Sequence, residues 1–118
     1  MDTVGEIECA TVTQWSSWLE QHHTHDLGVW VIYHKKSSPQ MSLDYEDLVC
    51  EALCWGWVDS RVARVDELRT KMYFSPRRPT SKWSPSNRER VERLENEGRM
   101  QPSGRAVVME AKRTGKWE

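Results

Sequence analysis

Trp55-Gly56-Trp57 is the feature that most narrows what this chain can fold into. Ahead of it, Leu48, Val49, Ala52 and Leu53 recur at the three-to-four-residue interval of an amphipathic helix. Glycine alone takes positive φ without a Cβ penalty, so Gly56 fits the left-handed residue that closes such a helix. Behind it, Trp57–Val65 and Thr70–Ser75 are separated by Asp66-Glu-Leu-Arg69, a spacing that predicts an antiparallel hairpin. The first of these segments alternates imperfectly (Val58, Val62, then Ala63, Val65), which predicts a bulge. The chain must therefore turn from helix to hairpin at residue 56.

Residues 1–10 read as a flexible lead-in, and 11–118 as a single domain. Thr11 and Gln14 fit a capping box, and Trp15, Trp18, Leu19 and His22 then form one helical stripe. Asp26-Leu-Gly28 breaks that helix. Val29–His34 is β-branched and aromatic on both faces, so it reads as a strand covered on two sides or a short central one. Lys35–Gln40 is a loop, and Ser42 or Asp44 caps the next helix. Pro76 and Pro79 bracket Arg77-Arg78 and end regular pairing. Ser84-Pro85 is a helix start, with Val91 and Leu94 facing inward and Arg88–Glu92 and Glu89–Arg93 as outer pairs. Gly98 stops it, and Ser103 caps a last helix carrying Val107, Val108 and Ala111 and ended by Gly115. The order is α-β-α-β-β-α-α. It predicts an α+β fold, a small and mainly antiparallel sheet of about three strands packed by about four helices.

At 118 residues the chain can bury one real core, and its seven Trp supply large apolar area. No apolar run reaches the roughly 18 residues needed to span a bilayer, so no membrane insertion is expected. Three cysteines, an odd number, without an export signal predict free thiols and a cytoplasmic location. The net charge of −1 hides an asymmetry. Residues 1–60 hold two Lys/Arg against ten Asp/Glu, a net of −8; residues 61–118 hold fifteen against eight, a net of +7. Such a split means either internal pairing between the halves or a basic face offered to an anion.

His22, His23 and His25 lack the spacing of a closed metal site and read as an exposed helix end. Cys50 and Cys54 lie one helical turn apart, where a disulfide would strain the helix, and read as core. No nucleophile elbow, phosphate loop, dinucleotide fingerprint or zinc-protease motif occurs, so neither metal nor cofactor is expected. Asp59, near Arg61, Arg77 and Arg78, reads as one half of an ion pair or as a base. The stretch Phe74–Asn87 is the most unusual. Arg77 and Arg78 between two prolines offer planar donor forks to carboxylate or phosphate. Trp83 offers a stacking face, and the helix start at Ser84 offers free N–H groups. Together with Ser81, Asn87, Asp59, Trp57 and Arg61 these residues form a candidate anion-binding strip. The competing reading turns the arginines inward to the acidic half.

Ala52-Leu-Cys-Trp-Gly-Trp-Val-Asp-Ser60, Ser75-Pro-Arg-Arg-Pro79, Ser81-Lys-Trp-Ser84 with Asn87, Glu97-Gly-Arg-Met100, Ala111-Lys112 and Gly115-Lys-Trp117 resemble the YdeI/OmpD-associated, or bacteriocin-protection, family. The similarity runs from about Trp18 onward. It implies a role in protection from bacteriocins, a porin association, and a further helical region rich in Ala, Lys and Arg beyond Trp117. It carries no established reaction, cofactor or catalytic residue. Three function classes follow from the residues. The first is a binding module for an anionic small molecule or peptide. The second is an enzyme with Asp59 as base and the arginines as electrostatic clamp. The third is a weak nucleic-acid binder, against which the near-neutral charge argues, so no stable nucleic-acid complex is expected.

Overall fold

A computed structural model describes residues 3–39 and 43–118. Gln40 of the expected loop and Ser42, one of two expected caps, lie outside the described residues. Of the four helices among the described residues, three start where side chains satisfy their free N–H groups. Thr11 and Gln14 bond reciprocally at the head of α1 (Val12–His22), and Asp44 with Asp47 does the same for α2 (Tyr45–Cys54). Ser84 Oγ accepts from the Asn87 N–H at 3.1 Å and opens α3 (Pro85–Asn96). The last helix, α4 (Pro102–Thr114), differs from expectation: Gln101 is its N-cap and gives no side-chain bond. Ser103 lies inside the first turn and donates its hydroxyl to the Trp55 carbonyl at 2.9 Å.

Four strands form the sheet: β1 (Thr3–Glu8), β2 (Gly28–His34), β3 (Trp57–Arg64) and β4 (Arg69–Pro76), in the order β1-β2-β4-β3. The β3–β4 and β2–β4 pairs are antiparallel and β1–β2 is parallel. The α-β-α-β-β-α-α order is present, preceded by one more strand. That strand corrects the reading of residues 1–10 as a lead-in. Ile7 pairs with Val31, Glu6 with Trp30 and Glu8 with Ile32. Long-range ion pairs fasten it, Glu6 to Lys71 at 2.6 Å and Glu8 to Arg69 at 2.7 Å. The expected bulge falls between Asp59 and Arg61.

The core lies on one face of the sheet. Val29, Val31, Tyr33, Met72, Phe74 and Trp57 meet Trp15, Leu19, Val91, Leu94, Val108 and Ala111 from the helices there. Helix α2 is buried from Leu48 to Cys54 and touches α1, β3, α3 and α4. Gly104 lets α4 approach closely, since a Cβ there would collide with the Cys54 carbonyl. The Gln101 N–H reaches that same carbonyl at 3.0 Å, so α4 supplies partners for the C-terminal end of α2. Trp30, Ile32 and Tyr73 stand outside the core cluster and alternate with its residues along β2 and β4. Strand β2 is therefore central in the sheet, with the packed core against one side only.

Candidate functional site

Gly56 has φ of +85°, as its position after the α2 stripe predicts, and its carbonyl accepts the Arg77 N–H at 3.0 Å. The helix-to-strand corner thus fixes the residue that follows β4. The Arg77 side chain is only 8% exposed. Its guanidinium lies 3.8 Å from the Trp83 ring centroid and donates to the Lys82 carbonyl at 2.7 Å. Nε is buried and has no hydrogen-bond partner among the described residues. Burial pushes the Arg77 pKa below its ordinary value, and the charge of Asp59 acts weakly the other way. Trp83 is itself held from behind: its ring is 5.0 Å from Trp117 and its N–H donates to the Lys116 carbonyl at 3.1 Å.

A cleft of about 900 Å³ opens in front of Arg77. Strand β3 contributes Val58, Ser60 and Arg61, β4 contributes Tyr73, Ser75 and Pro76, and Arg78, Pro79 and Ser81 close one side. The turn Asp26-Leu27-Gly28 forms another wall. Gly28 is needed there because a Cβ would strike the Tyr73 hydroxyl and the Phe74 carbonyl.

Part of the charge asymmetry is paired internally between the two halves. Arg90 makes a two-toothed bond to Glu46, both contacts at 2.9 Å, and Arg99 reaches Glu51 at 3.1 Å. Arg93 turns to Glu46 at 3.3 Å rather than to Glu89, and Arg88 makes no ion pair with Glu92. Arg61, Arg77 and Arg78 form no ion pair among the described residues, and all three line the cleft. Arg77 has no carboxylate within 4.0 Å among the described residues, so an ion pair with Asp59, one of the two readings of that carboxylate, is not formed.

Four residues of the candidate strip, Arg61, Arg77, Arg78 and Ser81, meet in this cleft. The others do not line it. Trp83 stands behind Arg77. Ser84 caps α3, and Asn87 Oδ1 accepts from Arg90 at 2.8 Å. Asp59 accepts from the Tyr45 hydroxyl at 3.5 Å, outside the cleft wall. Trp57 is core, its indole N–H donating to the His23 carbonyl at 3.0 Å. Asp26, Gly28, Ser60, Tyr73 and Ser75 were not singled out as site residues. The Val29–Phe74 pairing brings the first two to β4, a contact with no local signal.

The remaining candidates are accounted for by packing. Cys9, Cys50 and Cys54 are free and buried. Burial pushes Cys50 up to about 11, helped by Glu46, and Cys54 up to about 12. His22 packs between Trp18 at 4.7 Å and His25 at 5.0 Å, and His23 lies 4.7 Å from Trp55. No group of three or more His, Cys, Asp or Glu placed to hold a metal occurs among the described residues. No helix among them is long and apolar enough to cross a membrane.

Fold and cleft together define a small α+β domain with its core on one sheet face and an arginine-lined cleft at the hairpin's end. The chain belongs to the family described as Domain of unknown function (DUF8412), whose model matches residues 7–107. That span takes in every cleft-lining residue. No curated protein and no solved structure matches the chain.

Proposed function

We propose that this domain is a binding module for an anionic small molecule or peptide, held in the cleft by Arg61, Arg77 and Arg78. The observation that carries the reading is the buried guanidinium of Arg77, which among the described residues has no carboxylate within 4.0 Å and no partner for its Nε. Burying a charge without a counterion is costly, and an arriving carboxylate or phosphate supplies one. A charge-assisted bond of this kind contributes about 1.5–3 kcal/mol. The resemblance of the Ala52–Ser60, Ser75–Pro79 and Ser81–Ser84 segments to bacteriocin-protection proteins supports a protective role. Three free, buried thiols are in keeping with a cytoplasmic setting. Catalysis by Asp59 gains no support, because that carboxylate lies outside the cleft wall.

Calorimetric titration with phosphate, citrate and acetate tests the reading. The wild type is expected to bind the multivalent anions, more weakly as salt rises. Arg77→Lys keeps the charge and loses the fork, so it weakens binding about tenfold. Equal affinity in the wild type and in an Arg61→Gln/Arg78→Gln double variant would overturn the reading.

A further inference from the structure

Among the described residues Asp26 is the one carboxylate in the cleft wall, and it is exposed. It makes no ion pair or hydrogen bond among the described residues, although three unpaired arginines share the same cleft. Asp26 and the guanidiniums sit more than 4.0 Å apart. A simple anion would satisfy the arginines and be repelled by Asp26. A molecule carrying both charges satisfies the two ends together. Between them the wall is partly apolar, with Leu27 40% exposed and Val58 beside it, and the hydroxyls of Ser60 and Ser75 suit peptide groups.

Resting on the anion-binding reading of this cleft, we propose that its ligand is a short peptide with free termini, its carboxylate on the arginines and its ammonium on Asp26. The volume, about 900 Å³, stands at the upper end of small-ligand pockets. An extended chain advances about 3.5 Å per residue, so a peptide of more than one residue can reach both charges, which are not in contact with each other.

The test is calorimetry at neutral pH with the tripeptide Ala-Leu-Ala, its N-acetyl form, its C-terminal amide and inorganic phosphate. Wild type, Asp26→Asn and Arg78→Gln are compared; both substituted residues are exposed, so folding is not at issue. Blocking either terminus is expected to weaken wild-type binding at least tenfold. Asp26→Asn is expected to abolish the penalty of N-acetylation and to keep that of amidation. Arg78→Gln is expected to shrink the amidation penalty alone. An N-acetyl peptide that binds as tightly as the free one would overturn the proposal. If phosphate still binds in that case, the anion reading survives and the zwitterion fails. If neither phosphate nor any peptide binds the wild type, both fail.

Discussion

Gly56 and Arg77 carry opposite lessons at the scale of single residues. Gly56 closes α2 in the left-handed region, and a Cβ there would come within 2.9 Å of Val107. Gly56→Ala is therefore expected to cost at least about 1 kcal/mol in a denaturant melt, from backbone strain alone. Its conformation was legible because the end of one apolar stripe and the start of a strand flank it in sequence. The surroundings of Arg77 were not. Two prolines beside it mark an end to pairing, but the choice between a bond to Asp59 and an open cleft depends on contacts with Gly56, Lys82 and Trp83. Breaking a buried ion pair costs about 3–5 kcal/mol. With no carboxylate on Arg77, its replacement by Lys should cost clearly less in the same melt.

Between elements, the joints around α2 govern the response to substitution and to acid. Alanine usually stabilises a helix relative to glycine by about 0.5–1 kcal/mol. Gly104→Ala should invert that sign and cost about 1–3 kcal/mol, because α4 would be forced off the Cys54 carbonyl. Thermal melts check it. The joint to α3 is electrostatic: its hydrogen bond to Arg90, aided by Cys50 and Arg93, holds the Glu46 pKa at about 2, below the ordinary 4.5. A depressed carboxylate stabilises the fold above its unfolded pKa and ceases to do so as acid protonates it. The contribution should be complete above pH 4.5 and vanish toward pH 2. Over that range Glu46→Gln should show a shallower fall in denaturant midpoint than the wild type. Helix starts with a side-chain cap were readable from close neighbours in sequence, Gln14 for Thr11 and Pro85 for Ser84. The α4 start was not, because the Ser103 hydroxyl answers a carbonyl on another helix. Strand β1 escaped notice for the same reason, since its anchors Lys71 and Arg69 lie far along the chain.

Across the whole molecule, the split of charge between the two halves was plain in the sequence, and its disposition was not. Glu6, Glu8, Glu46 and Glu51 neutralise cations of the second half, while Arg61, Arg77 and Arg78 are left to the cleft. The cleft in turn leans on Trp83, and Trp83 leans on Lys116 and Trp117. Trp117→Ala should destabilise the domain by about 3 kcal/mol. It should also weaken anion binding under conditions where circular dichroism still reports a folded chain. During synthesis the guanidinium of Arg77 leaves the ribosome well before the indole of Trp117. A nascent chain thus carries these guanidiniums before the indole that backs Trp83 has been made. The Trp83–Trp117 contact is thereby confined to chains whose translation has passed residue 117.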